Sequence, residues 1–258
     1  MKKLAKTFIT SNYTLFTLGI IFVFVLWFII SFSIGSGNLY FPSPIETLRA
    51  VWELLGKKFT YVSLGWTLLR TLIGFVISFI LAMIFGILAG NIYKLSVFFK
   101  PLVTVLKSIP TAALVFLFLV LSGSKNAPIY IVFLLSFPIL YESFIGGIKN
   151  IPDEINDALK LDARNRLYGI IKIKVPLAAP YVIVGLASSF ALSLKTEVMA
   201  EIITGSTDEG LGCMISIYRN SDPTNLAPIF AIALIILIIV LIVDIFGMII
   251  KKIIRIED

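Results

Sequence analysis

There is no histidine anywhere in the 258 residues, and a single cysteine, Cys213. Without imidazole, no His-dependent catalytic triad and no His-ligated metal site can be built. One thiol cannot close an intrachain disulfide. Charge is scarce as well: Asp, Glu, Lys and Arg supply 14% of the residues, where a soluble domain carries about 25%. No Gly-x-x-x-x-Gly-Lys-Ser/Thr phosphate loop is present, because the Gly56-Lys57 pair lacks a glycine five positions earlier. These absences leave no candidate catalytic residue and no metal cluster, and any ATP chemistry must sit on another chain.

What the chain has in excess is apolar surface. Hydrophobic residues make up 59%, and the mean hydropathy is +1.01. A globule of this size cannot hide that much apolar area, so lipid is the expected solvent. Charge-poor runs of spanning length read as about six transmembrane helices, at 13–34, 71–92, 101–121, 128–148, 177–203 and 228–250. The expected fold is all-α, a polytopic integral membrane protein with one membrane domain over 1–258. Lys2, Lys3 and Lys6 before the first run resemble a signal peptide, but no small-residue cleavage site follows, so that run reads as a retained span.

The net charge of +7 does not point to nucleic acid. The basic residues flank apolar runs instead of forming a patch interleaved with aromatics. Lys2, Lys3, Lys6, Lys100, Lys149, Lys172, Lys174, Lys251 and Lys252 fall on one side of the predicted spans, which makes both termini cytoplasmic. Between the first two spans, Ser43-Pro44-Ile45-Glu46 opens a helix with Ile45, Leu48, Val51, Trp52 and Leu55 at helical spacing. It reads either as a helix on the outer membrane surface or as a connector packed on its neighbours.

The cytoplasmic connection 149–176 is long and organised. Asn150-Ile151-Pro152-Asp153-Glu154 reads as a helix start, with Asn150 as the cap and two acids at the positive end of the helix dipole. Ile155, Ala158, Leu159 and Asp162 follow at helical spacing, then Arg164 and Arg166, and Pro176 opens the fifth span. From composition, such a helix either docks into a partner's groove or lies on anionic lipid.

The stretch Asp157-Ala158-Leu159-Lys160-Leu161-Asp162-Ala163-Arg164, with Val175-Pro176 downstream, resembles the EAA loop of binding-protein-dependent ABC importer permeases. Asp157 stands where the family has Glu, Leu159 for the second Ala, Ala163 for Gly and Val175 for Leu. Further resemblances lie at Phe41-Pro42-Ser43-Pro44, at Thr67 to Phe75, at Ile109-Pro110-Thr111, at Phe137-Pro138, and at Ala200-Glu201 with Gly205 and Gly210-Leu211-Gly212. Together they span roughly residues 40–215 and resemble the nitrate, sulfonate, taurine and thiamine-precursor branch. The resemblance implies a multi-pass permease of the bacterial cytoplasmic (inner) membrane with a type I importer fold. It implies a cytoplasmic ATPase dimer carrying ATP and Mg, an extracytoplasmic substrate-binding protein, and a second permease copy, with homodimer as the expectation. No cofactor is expected on this chain. Asp157, Ala158, Leu159, Leu161, Asp162, Ala163, Arg164 and Arg166 would form the ATPase-coupling surface. The competing class is a secondary transporter driven by an ion gradient, which would show internal halves with interrupted helices.

Charges inside spans mark a pathway or a paired structural site. In the fifth span Lys195 points away from the face shared by Glu197 and Glu201. Ser189, Ser193, Thr196 and Ala200 form a small, polar stripe. The stripe either lines the translocation path with Lys195, Glu197 and Glu201, or lets helices approach closely. Lys195 either attracts an anionic substrate or pairs with Glu142 or Asp244. The glycines Gly205, Gly210 and Gly212 mark a turn, with or without a binding-protein contact.

Overall fold

A computed structural model describes residues 12–34, 41–161, 166–205 and 209–254, and all of its regular elements are helical. They run α1 Asn12–Ile34, α2 Pro44–Leu55, α3 Lys58–Asn91, α4 Tyr93–Ser108, α5 Thr111–Lys149 and α6 Asp153–Leu161. A single turn, Arg166–Gly169, and a π-helical turn, Ile170–Lys174, lead into α7 Val175–Thr204, followed by α8 Leu211–Ser221 and α9 Ala227–Ile254. Lys58–Asn91, Thr111–Lys149, Ile170–Thr204 and Ala227–Ile249 are each long and apolar enough to cross a membrane. Thr17–Ser33 within α1 is a shorter apolar stretch. The all-α, polytopic reading therefore holds.

The third expected span is interrupted at Pro110, as the proline in its sequence implies. The stretch 101–121 is not one helix, because α4 ends at Ser108 and Ile109 is extended (φ −71°, ψ 129°). Pro110 forces this: its ring disfavours the α conformation in the residue before it. The chain then restarts at Thr111 and breaks again at Gly123 (φ 72°, ψ 166°), a backbone that favours glycine. Only beyond that break does α5 run through the expected fourth span.

Small residues set the packing. On α3, Gly74, Ser78, Ala82, Gly86 and Gly90 recur every four residues along one face. A Cβ built on Gly74 would lie 2.6 Å from the Ile129 carbonyl oxygen, and one on Gly86 2.6 Å from Phe144 Cβ. Ser78 Oγ donates to the Phe133 carbonyl at 2.9 Å. In lipid there is no hydrophobic gain from joining two apolar helices, so close backbone approach and hydrogen bonds must supply the attraction. The α5–α7 pair repeats the device, with Gly147 against Ala178 and Gly185 against Ser143. On α9, Gly247 meets Ala187, and Val240 joins Ala191 and Leu194 of α7. One side-chain core combines Ala82, Phe137, Leu140, Tyr141, Phe144 and Val182.

By packing, the described residues of 1–58 and 217–235 form one compact unit, and those of 59–216 and 236–258 a second. The second holds α5 and α7 with the polar residues discussed next.

Candidate functional site

The first candidate region is the α6 end of the second unit. Asn150 does not cap α6 as the sequence suggested; it closes α5, where its side chain donates to the Gly146 carbonyl at 2.7 Å. The first turn of α6 is closed instead by the Pro152 carbonyl, which accepts the Ile155 and Asn156 N–H groups. Asp153 and Glu154 then stand in the first turn of α6, where the helix dipole favours acids. Leu159 turns inward onto Gly169, whose Cβ, if present, would sit 3.0 Å from Leu159 Cδ2. Asp157 and Ala158 are exposed. Leu161 and Arg166 have helical backbones, while Asp162, Ala163 and Arg164 lie outside the described residues.

The π-helical turn has a physical cause. Pro176 cannot donate a backbone hydrogen bond, and its ring would strike the Lys172 carbonyl in a regular α-helix. The wider turn relieves that clash, with the Val175 N–H donating to the Ile170 carbonyl. Lys174 Nζ donates to Asn91 Oδ1 at 3.0 Å, which ties the start of α7 to the end of α3. Lys149 Nζ reaches Ser96 Oγ at 3.4 Å, which ties α5 to α4 at the same end.

The second candidate region is a buried charge cluster at the other end of α7. Arg70 on α3 donates through Nη1 to Glu201 Oε1 and to the Glu209 carbonyl, both at 3.0 Å. Thr67 Oγ1 donates to the same carboxylate at 2.9 Å and accepts the Leu211 N–H at 2.9 Å. Glu201 Oε2 accepts the Gly212 N–H at 2.8 Å. Arg70 is 4% exposed and Glu201 1%. The carboxylate thus closes the N-terminus of α8, where orphan N–H groups and the dipole both favour an anion. The glycines follow from this closeness: a Cβ on Gly210 would lie 2.5 Å from Glu201 Oε1, and one on Gly212 2.5 Å from the Val198 carbonyl. Gly210 also has φ 145°, strained for any other residue.

Along α7, the structure separates the sequence-predicted residues. Ser193 Oγ lies 2.6 Å from Ser136 Oγ, and Ser189 Oγ donates to the Ser136 carbonyl at 3.5 Å, so both serines face α5. Thr196 and Glu197 are buried, and neither carboxylate oxygen of Glu197 has a hydrogen-bond partner among the described residues. Lys195 is exposed. Its expected pairing with Glu142 does not form, because Glu142 is held by Lys107 Nζ at 2.9 Å. Asp244 makes no ion pair with Lys195 within 4 Å either. Sequence reasoning missed Arg70 and Thr67 as partners of Glu201. The available signal was an arginine within apolar α3, an expensive placement that calls for a buried acid.

Among known proteins, the family described as "binding-protein-dependent transport system inner membrane component" matches residues 82–256. The nitrate import permease protein NrtB of Leptolyngbya laminosa is 28% identical over 193 residues, covering 70% of this chain and 68% of that protein. The bicarbonate transport system permease protein CmpB of Synechococcus elongatus is 29% identical, covering 72% and 70%. A solved structure of the MetNI methionine ABC transporter in inward-facing conformations superposes with a TM-score of 0.63 at 18% identity. That alignment covers 78% of this chain and 96% of the other, and it bears on the fold alone. The family match takes in well over half of the sequence, including α5, α6, α7 and the α6 connection, and this protein belongs to that family of binding-protein-dependent ABC transport permeases.

Proposed function

We propose that the chain, in the cytoplasmic membrane with both termini inside, passes a small anion across the bilayer as half of a permease pair. A separate cytoplasmic ATPase dimer would drive it through α6. The observation that carries this reading is the placement of α6: a short helix with Asp157 and Ala158 exposed and Leu159 packed on the turn that feeds α7. A push on α6 would reach α7 through Leu159 and Gly169. An ATPase can bias the permease only if it contacts α6 differently in its two states. Asp162, Ala163, Arg164 and Arg166 would complete the coupling surface.

The anion assignment rests on two supports. Relatives named for nitrate, bicarbonate and aliphatic sulfonates all handle small anions. Lys195 offers an exposed cation on a spanning helix, with no ion pair of its own among the described residues. Thr196 and Glu197 follow it on the buried side of α7; Ser189, Ser193 and Glu201 are occupied in holding helices together. The half-exposed Lys107–Glu142 pair can face either water or a second copy of the chain, since a charged pair is costly against lipid.

The test is reconstitution of the chain with its ATPase and binding protein in liposomes. ATP-driven uptake is expected for the wild type, and Ala158→Trp should lose most uptake while the ATPase still hydrolyses ATP. Uptake driven by an ion gradient with this chain alone, or normal coupling in Ala158→Trp, overturns the reading.

A further inference from the structure

Helix α2 presents three distinct sectors. Its start is fixed by a capping box, with Ser43 Oγ accepting the Glu46 N–H at 3.2 Å and Glu46 Oε2 accepting the Ser43 N–H at 2.7 Å. Pro44, Thr47, Ala50 and Leu54 are buried and form the inward face. Ile45, Leu48 and Trp52 are 61%, 54% and 80% exposed. At 3.6 residues per turn these three lie within an arc of about 60°. Arg49 and Glu53 are also exposed, in a separate arc on the far side of Ile45. The apolar stripe read from the sequence is therefore split, and its outermost part is not covered by any of the described residues.

The helix also starts at a defined depth. Trp27 Nε1 donates to the Pro42 carbonyl at 3.1 Å, and Ser31 Oγ to the Phe41 carbonyl at 3.3 Å. Phe230, in the first turn of α9, packs against Trp27 in a tilted arrangement and meets Phe41 edge-on, with centroids 6.2 and 5.5 Å away. Trp27 lies seven residues before the end of α1, or about 10 Å along its axis. The chain has thus folded back beside the last two turns of α1 before α2 begins. At that depth α1 exposes Phe28, Ile29 and Phe32, an apolar surface that only lipid or protein can cover.

We infer that α2 is an interfacial helix that lays Ile45, Leu48 and Trp52 into the boundary between acyl chains and headgroups, with Arg49 and Glu53 in water. An amphipathic helix in that plane needs an apolar arc and a charged arc side by side. Tryptophan favours the same zone, because its ring is apolar and its N–H is polar. The exposed apolar arc is continuous in depth with the exterior of α1, which favours lipid over a protein partner as its cover. α2 is then a lipid-binding surface.

Spin labels test this directly. In a Cys213→Ala background, Leu48→Cys, Arg49→Cys, Trp52→Cys and Glu53→Cys are labelled one at a time in the full chain with its partner subunits. The vesicles contain phosphatidylcholine and phosphatidylglycerol. Oxygen concentrates in the bilayer and a nickel chelate in water, so power saturation reports the environment of each label. The expected result is an oxygen-to-nickel accessibility ratio several-fold higher at 48 and 52 than at 49 and 53. Nickel accessibility at 48 and 52 would place them in water, and shielding from both reagents would place them under protein; either result overturns the inference.

Discussion

At the residue scale, the informative contrast is between two carboxylates one helical turn apart. Glu201 accepts from Arg70, Thr67 and Gly212, whereas Glu197 is equally buried with no hydrogen bond to either oxygen among the described residues. A buried polar group without partners costs about 1–3 kcal/mol or more. Glu197→Gln should accordingly leave the thermal stability of the detergent-solubilised protein unchanged or raise it. Glu201→Gln should lower it, because it leaves the Arg70 cation buried and uncompensated. In a double-mutant cycle, Arg70→Met and Glu201→Gln should couple by about 1–3 kcal/mol, the double variant being more stable than the sum of the singles. Simple additivity would mean that the pair seen here is not an energetic unit. Asp222, outside the spans, shows the same local logic at small scale. The Thr224 hydroxyl and N–H, with the Asn225 N–H, hold its carboxyl below the usual carboxylate range.

At the element scale, glycines and prolines carry most of the information. Pro110 and Gly123 divide what hydropathy alone reads as continuous, and Pro176 turns the α7 approach into a π-helical turn. On α3 the four-residue spacing of small side chains is a packing device, and Gly86 is one of its close approaches, where Phe144 Cβ and the Tyr141 carbonyl close in. Gly86→Val should force α3 and α5 apart and destabilise the protein by about 1–3 kcal/mol, the usual range for overpacking. Gly146→Val is the control, since no atom approaches a Cβ there within 4 Å. Equal melting temperatures for the two variants would contradict the close approach. The small, polar stripe of α7 belongs to the same class of device: Ser193 and Ser189 engage Ser136.

At the scale of the whole molecule, α7 joins two ends of different character. Thirty residues make it about 45 Å long. One end meets α6 and the Lys174–Asn91 contact, and the other carries the Arg70–Glu201 cluster. A shift applied at Leu159 enters a helix anchored at its far end by charge, with exposed Lys195 between. Lys195→Met should lower uptake of the transported anion in the reconstituted assembly without changing how much ATPase co-purifies. Unchanged affinity and rate of uptake would remove Lys195 from the path.

The all-α membrane class was legible in the sequence, because lipid imposes a one-dimensional rule: long apolar runs must be helices; the family was legible only through its motifs, such as Asp157–Arg164 with Val175-Pro176. Helix α6 was legible for a similar reason, since helical spacing and dipole-matched acids are local signals. Tertiary structure alone decided which polar residues meet. Arg70 and Glu201 are 131 residues apart in sequence, and nothing local distinguishes Glu201 from Glu197. It also decided that Glu142 belongs to Lys107 and that the α7 serines face α5. Hydropathy reports how much of a helix can meet lipid, but the partner of a buried charge depends on helix rotation and register, which only packing sets.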